Sequence, residues 1–388
     1  MKRVFLVVLD SVGIGAMPDA QLYGDTGANT LTHVYEANGG LDLPNLKKLG
    51  LFNINDINVA TEEEHPIGSY GRVLEISKGK DTTTGHFEMI GINTKVPFKT
   101  YPNGFPKEVI DEFTRQTGKK VIGNIAASGT QIIEDLGEEH VKTGDLIVYT
   151  SADSVFQIAA HEDVVPLQDL YKYCKIAREI LRGENEVARI IARPFIGEVG
   201  HFTRTANRHD YATLPSTPNL LYNLEEAEIP VIGVGKISDI FAGQNITKSI
   251  PTKSNKQGME ETIELAKNGP KGFIFTNLVD FDMKFGHRND PKGYASALEE
   301  VDGQIGELLS ALNSADDYLF IMADHGCDPT FKGTDHTRES VPLLVYHEGG
   351  PTNNLGTLKS FADVGQTIAA IFKVKSLEIG ESFLDKIE

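Results

Sequence analysis

Short runs of apolar residues recur along the chain and end in polar, glycine-rich corners. They read "VFLVVLD", "KVIGN", "DLIVYTSAD", "ARIIARPF", "PVIGVGK", "GFIFTNLVDFD", "YLFIMADHG" and "PLLVY". Val, Ile and Leu follow one another without alternation, which predicts strands covered on both faces. Between the runs lie "PNLKKLGL", "PKEVIDEFTRQTG", "LQDLYKYCKIAREILRG", "SNKQGMEETIELAKNG" and "KGYASALEEVDGQIGELLSALNS". Their apolar residues stand three and four apart, the spacing of a helix with one buried face. Strand alternating with helix predicts an α/β fold with a largely parallel sheet flanked by helices.

The polar residues with chemical potential are unevenly placed. Asp10 closes the first apolar run. Asp282 and His287 stand five apart in "DFDMKFGH", Asp324 and His325 are adjacent in "ADHG", and His336 follows in "GTDHTRE". In an open parallel sheet, ligands bind beyond the carboxyl ends of strands. One Asp after a strand is ordinarily a turn former or helix cap. Several carboxylates and imidazoles in such corners suit divalent ions of borderline hardness, and they are too many for one ion. A further stretch, "GKDTTTGHFEMIG", sets three hydroxyls ahead of an apolar segment. It reads as a helix cap, or as a nucleophilic threonine at a helix N-terminus, where the free amides stabilise negative charge.

The middle of the chain differs. It has its own strand and helix signals and an arginine series of Arg178, Arg182, Arg189, Arg193, Arg204 and Arg208. This predicts a core domain from residues 1–99 and 216–388, with an α/β cap of residues 100–215 inserted between proline-rich boundaries at "NTKVPFKTYPNG" and "LPSTPN". Arg178 and Arg182, beside Glu179 and Glu184 on a predicted helix, read as structural.

Composition narrows the function classes. The 388 residues are 40% hydrophobic and 24% charged, enough for more than one core. A formal net charge of -18 repels nucleic acid and anionic lipid, so neither is an expected partner. The basic start "MKRVFLVVLD" mimics a leader, but Asp10 interrupts the apolar run too early, so a buried strand is expected. Two distant cysteines, Cys174 and Cys327, predict no disulfide framework and fit the cytoplasm.

Taken together, these stretches resemble the alkaline phosphatase superfamily. With "VFLVVLDSVGIGAMPDA", "VYTSADSVFQIAAHE", "RPFIGEVGHFTRTANRHDYA", "GKISDIF" and "ADHGCDPTFKGTDHTRESVPLL", the chain is similar over nearly its whole length to the branch of mutases that move phosphate between the ends of a pentose. The resemblance implies an alkaline-phosphatase-like core and two metal ions, most readily Mn²⁺. It implies that Asp10, Asp324 and His325 hold one ion and Asp282, His287 and His336 the other. It implies that Thr82, directly after Asp81, is the phosphorylated nucleophile, with a sugar bisphosphate as activator. It points to Arg189, Arg204 and Lys236 at the substrate's far phosphate, to Ser151, Val155 and Ile191 near the sugar, and to Asp153 and Ser154 as further contacts. A monomer acting on a pentose phosphate is expected. Cys327 stands where a polar residue such as Asn is expected. The alternatives are a phosphoglycerate-mutase-like enzyme, although that branch uses serine as nucleophile, a phosphohydrolase of the same superfamily, or a catalytically silent metal and phosphate binder.

Overall fold

The computed structural model describes residues 2–151, 153–312 and 315–388. Met1, Ala152 of "TSADSV", and Asn313 and Ser314 at the end of the last predicted helix lie outside the described residues. Along the chain the strands are β1 (Arg3–Leu9), β2 (Ser69–Val73), β3 (Val121–Ala126), β4 (Leu146–Thr150), β5 (Val155–His161), β6 (Arg189–Ile196), β7 (Thr203–Arg204), β8 (His209–Ala212), β9 (Val231–Val234), β10 (Lys248–Ile250), β11 (Gly272–Leu278), β12 (Asp317–Met322), β13 (Val341–His347) and β14 (Asn354–Leu358). The α-helices are α1 (Thr30–Ala37), α2 (Pro44–Lys48), α3 (Thr82–Met89), α4 (Lys107–Thr117), α5 (Gly129–Thr143), α6 (Leu167–Ile180), α7 (Leu220–Glu226), α8 (Ile237–Ile240), α9 (Asn255–Asn268), α10 (Pro291–Ala311) and α11 (Ala362–Phe372).

The chain divides into two compact units, one built from residues up to Pro97 and from Pro215–Glu388, the other from Phe98–Leu214. The first unit holds one sheet in the order β10-β9-β11-β1-β12-β13-β2-β14. Strands β1, β11 and β12 are buried at every residue, as their unbroken apolar runs predict. Only β13 runs against its neighbours. The loop joining it to β12 turns back at the same edge, so no helix crosses a face between them. Helices α9 and α10 pack on each other. Residues such as Leu298, Val301, Ile305 and Leu308 of α10 belong to the same hydrophobic core as the strands.

The second unit holds the sheet β3-β4-β5-β6-β7, with β8 also paired to β6. One face, with Val148, Ile158 and Ile190, packs under α4 and α6 around Phe113 and Leu170. The other face carries Ile147, Tyr149, Ala159 and Phe195, and α5 covers part of it through Ile132 and Ile133. Arg178 of α6 donates to the carbonyls of Val187 and Leu181, and Arg182 pairs with Glu179, so both serve the scaffold.

At the amino ends of the first sheet, Arg3 forms a bidentate pair with Asp317, at 2.9 and 2.7 Å. Both side chains are buried, and Lys271 stands 3.6 Å from the same carboxylate. Breaking a buried pair by removing one partner costs about 3–5 kcal/mol, because the remaining charge is left without compensation. Asp317→Ala is therefore expected to lower unfolding free energy by about that amount in urea titration. Replacing both partners with apolar residues should recover most of the loss.

Candidate metal centre

Strands β11, β1 and β12 lie side by side, parallel and in register, with Leu9 opposite Leu278 and Val8 opposite Met322. Their carboxyl ends open at one edge. Asp10 follows β1, and Asp324 and His325 follow β12. After β11 the chain makes a π-helical turn, Phe281–Phe285, and a 3-10 turn, Gly286–Arg288, which carry Asp282 and His287. Irregular turns of this kind recur at functional sites. His336 comes from the loop between β12 and β13.

These six side chains form one cluster. His325 Nε2 lies 3.3 Å from Asp10 Oδ1 and 3.4 Å from Asp324 Oδ2. Asp282 stands between two more imidazoles, Oδ2 at 3.2 Å from His287 Nε2 and Oδ1 at 3.4 Å from His336 Nε2. The rings of His325 and His336 are 4.2 Å apart, so the two groups adjoin. Asp10, Asp324 and His325 have donor atoms close enough to share a cation. Asp282 does so in two ways, with His325 and His336, and with His287 and Cys327.

The donor set fits metal ions. Asp10 Oδ1, Asp282 Oδ1, Asp324 Oδ2 and His336 Nε2 are buried and make no hydrogen bond among the described residues. A buried polar atom left so costs about 1–3 kcal/mol, and four in one place call for a shared counter-charge. Carboxylate oxygens and imidazole nitrogens in these numbers suit divalent ions. The electrostatics agree. Burial opposes charge on His325, but Asp324, Asp10 and Asp282 outweigh it and raise its pKa well above the ordinary value. Burial also opposes charge on Asp282, yet His336 and His287 bring its carboxyl well below the usual range.

Neighbouring groups hold Asp324 and Asp10 by one oxygen each and leave the other for the cluster. Ser11 N donates to Asp324 Oδ1 at 3.0 Å, and Asn277 Nδ2 donates to Asp10 Oδ2 at 2.8 Å. His86, fully buried and stacked on Phe275, donates from Nδ1 to the carbonyl of Thr82 at 2.8 Å and stands 3.2 Å from Asp324 Oδ2. Such outer partners fix the orientation of metal ligands.

Thr82 opens α3. Asp81 caps the helix, accepting from Thr84 N at 3.1 Å and from Thr84 Oγ1 at 2.6 Å, which commits the hydroxyl of Thr84. Thr82 Oγ1 is 3.3 Å from His325 Nε2, within the cluster. Helix and strand come this close because residue 85 is glycine, where a β-carbon would lie 2.3 Å from the carbonyl of Asp324. The loop before α3 is tied down by Arg338, which donates to Gly79 O at 2.7 Å and to Glu75 Oε2 at 2.5 Å. Lys80 bridges Asp25 and Asp335 at 3.0 and 3.1 Å.

The expected substrate residues lie in both units. Lys236, at the start of α8, belongs to the first. Ser151, Asp153, Ser154, Val155, Arg189, Ile191 and Arg204 belong to the second. Arg189 is 3.5 Å from Asp153 and 3.6 Å from Asp210. Val155 and Ile191 are buried in neighbouring strands, opposite Arg189 and Gln157, while the hydroxyl of Ser154 bridges Lys99 O and Ala188 N. Sequence reasoning passed over His86, Asn277, Arg338 and Cys327's place beside the cluster. His86 sits inside the quoted "DTTTGH", four residues after Thr82, a spacing that on a helix puts it one turn beyond Thr82 on the same side. Cys327 donates from Sγ to Asp335 O at 3.7 Å. Burial and the surrounding carboxylates keep its thiol protonated.

Comparison with known proteins follows the same line. Residues 2–376 match the Metalloenzyme superfamily. Phosphopentomutase of Clostridium novyi strain NT is 58% identical over 388 residues, covering 100% of this chain and 99% of that one. Phosphopentomutase of Alkaliphilus oremlandii strain OhILAs is 55% identical over the same length, again with 100% and 99% coverage. The solved structure of the PH0037 protein from Pyrococcus horikoshii shares the fold, with a TM-score of 0.52 at 17% identity over 98% of this chain and 99% of that one. With most of its length inside one metalloenzyme superfamily and more than half its residues shared with these relatives, the chain belongs to the phosphopentomutase family of isomerases.

Proposed function

We propose that the enzyme interconverts ribose 1-phosphate and ribose 5-phosphate, and the corresponding deoxyribose pair, through a phosphothreonine at Thr82. The observation that carries this reading is the position of Thr82 Oγ1. It sits at the first residue of α3, 3.3 Å from His325 Nε2, whose imidazole adjoins carboxylate oxygens that make no hydrogen bond among the described residues. Asp10, Asp324 and His325 would hold one divalent ion, and Asp282, His287 and His336 the other, with Mn²⁺ the favoured metal. Two such ions supply Lewis-acid stabilisation of the transferring phosphoryl group and lower the pKa of a bound hydroxyl.

The protein's own groups perform the rest. The N-terminal end of α3, with its partial positive charge, would stabilise negative charge on the phosphorylated oxygen. His86 fixes the carbonyl of the same residue, which holds the threonine in place. Phosphorylated Thr82 gives its phosphoryl group to the free hydroxyl of the bound pentose phosphate. The P–O bond to Thr82 breaks, a P–O bond to the sugar forms, and the proton of the sugar hydroxyl ends on the Thr82 oxygen, which returns to a hydroxyl. The resulting 1,5-bisphosphate turns end for end and returns its other phosphoryl group to Thr82. A sugar bisphosphate would phosphorylate Thr82 at the outset. The second unit would act as the cap that selects the sugar and excludes water. We place a monomeric enzyme in the cytoplasm, in keeping with two buried free thiols and an acidic surface. Among the described residues no helix is long and apolar enough to cross a membrane.

Elemental analysis of active enzyme is expected to find two divalent ions per chain. Asp282→Asn should remove one of them and lower kcat by at least about tenfold to a hundredfold, the cost that even a change to an outer partner of a metal ligand carries. One ion in the active wild-type enzyme, or full turnover in Asp282→Asn, would contradict the two-ion arrangement.

Mass spectrometry after incubation with a sugar bisphosphate should locate the added phosphate on Thr82. Thr82→Ala should lose both the phosphoenzyme and isomerisation, whereas Thr83→Ala should keep both. Thr82→Ser should keep part of the activity, because it retains the hydroxyl and loses the methyl that restricts its rotamer. Phosphate on Thr83 or Thr84, or normal turnover in Thr82→Ala, would sink the proposed nucleophile.

A further inference from the structure

The chain's two thiols are both buried, in unlike surroundings. Cys174 belongs to the apolar core of the second unit, in one cluster with Phe156, Leu170 and Leu181. Cys327 is 1% exposed, yet it belongs to none of the hydrophobic clusters among the described residues. A buried thiol ordinarily fills space as a small apolar group. Around Cys327 the neighbours are polar instead. Its Sγ stands 3.9 Å from His287 Nδ1 and 3.7 Å from Asp335 O. Its backbone N donates to Ser11 O and to Thr30 Oγ1, both at 3.2 Å, which fixes the segment after β12. A β-carbon on Gly286 would lie 2.8 Å from the sulfur, so glycine there lets the turn that carries His287 close onto it.

Asp282 supplies an independent observation. It is 4% exposed, and its Oδ1 makes no hydrogen bond among the described residues. One donor atom each from Asp282, His287 and Cys327 lie within 4.8 Å of one another. His336 falls into a different grouping with Asp282, together with His325. Donors on one tetrahedral ion stand about 3–4 Å apart, a separation that small side-chain rotations reach from this spread. The chemistry of the three donors is mixed. Carboxylate oxygen and imidazole nitrogen accept many divalent ions, whereas sulfur is soft and selects among them. At Asp10, Asp324 and His325 the donors are oxygen and nitrogen only.

We infer that Cys327 Sγ is a ligand to the ion at Asp282 and His287, and that it makes this position select a thiophilic divalent ion, Zn²⁺ or Co²⁺, over Mn²⁺. As the sulfur–metal bond forms, the S–H proton passes to solvent and the sulfur binds as thiolate. Three buried carboxylates and one thiolate then balance two divalent ions. The two positions differ in consequence. The one at Asp10, Asp324 and His325 keeps a set of hard and borderline donors that suits Mn²⁺, and the one with sulfur does not. Asn at position 327, the residue expected there from the sequence, would leave the two positions alike in donor type. Giving the sulfur-bound ion a part in phosphoryl transfer rests on the proposed reaction; the sulfur ligand itself does not.

Full-length protein dialysed against a chelator and titrated with Co²⁺ tests the ligand by absorption. The wild type is expected to develop a near-ultraviolet sulfur-to-cobalt charge-transfer band as the ions bind. Cys327→Ser should lack that band and keep the visible bands of bound cobalt. In competition titrations Cys327→Ser should lose about tenfold or more of the preference for Zn²⁺ over Mn²⁺, the size of effect that altered surroundings of a metal ligand produce. X-ray absorption at the zinc edge of the zinc-loaded wild type needs no variant and should find sulfur at about 2.3 Å. Oxygen and nitrogen donors alone, a band that persists in Cys327→Ser, or no bound cobalt overturns the assignment. Protein that isomerises ribose 5-phosphate with no sulfur on either ion loses the sulfur ligand and keeps the proposed reaction. Sulfur-ligated protein that isomerises none keeps the ligand and loses the reaction.

Discussion

Three carboxylates buried at the ends of three adjacent strands set the terms for the first unit. Asp10, Asp282 and Asp324 are at most 4% exposed, and a buried anion without compensation costs several kcal/mol. The sheet order β11-β1-β12 forces them together, because parallel neighbours in register end at the same edge. Local hydrogen bonds satisfy only part of the need. Ser11 N and Asn277 Nδ2 each occupy one oxygen of Asp324 and Asp10, and the opposite oxygens remain for positive charge. The three clustered histidines meet some of that demand, and divalent ions meet it more fully. Structure and chemistry are thus linked through one electrostatic constraint: the arrangement that is costly for an empty protein is the one that binds metal.

The surrounding loops serve that constraint by close approach. Glu339, buried, accepts from Gly15 N, Thr30 N, Thr30 Oγ1 and Thr337 Oγ1 at 2.7–3.1 Å, and so joins the loop after β1 to the loop before β13. A β-carbon at Gly13 or Gly326 would come within 2.4 or 2.3 Å of its carboxylate. Glu88, at the far end of α3, accepts from Ile76 N, Ser77 N, Ser360 Oγ and Phe361 N at 2.6–3.0 Å. It anchors the helix whose first residue is Thr82. These acids are not part of the cluster, yet each places a segment that carries a member of it.

Much of this was legible in the sequence where a residue's environment is local. Runs such as "VFLVVL" and "YLFIMA" announce buried strands because no alternation is needed when both faces are covered. The polar corners after them hold the clustered Asp and His residues for the same reason. Features that depend on distant partners were not legible. Helix α5 begins with glycine and holds Gly137 against Phe202, so its helical signal is weak although its apolar residues are buried. Helix α11 is rich in Ala and Gly and is buried on most sides, which erases the polar face that marks a surface helix. Strand β5 follows β4 so closely that "LIVYTSADSVFQIAA" contains two strands where a single run was read. The reversed direction of β13 and the packing of Cys327 beside His287 arise from how a long loop folds back, which no periodicity records.

The placement of His86 shows why Thr82 and the clustered carboxylates form one mechanical unit. Its Nδ1 proton serves the carbonyl of Thr82, and the same nitrogen stands 3.2 Å from Asp324 Oδ2. Its other nitrogen lies 3.4 Å from Asn277 Nδ2, which in turn donates to Asp10. The imidazole of His86 therefore links the start of α3 to Asp324 directly and to Asp10 through Asn277. Asn277 Nδ2 stands between His86 Nε2 and Asp10 Oδ2, at 3.4 and 2.8 Å, with its nitrogen turned toward Asp10. Packing against Phe275 and Phe241 prevents the ring from turning. A shift of the helix relative to the strands would break contacts on both sides of this ring at once. The position of Thr82 is consequently set by the same groups that set the clustered carboxylates, and the pairing of an eight-residue helix with a buried strand end is rigid for that reason.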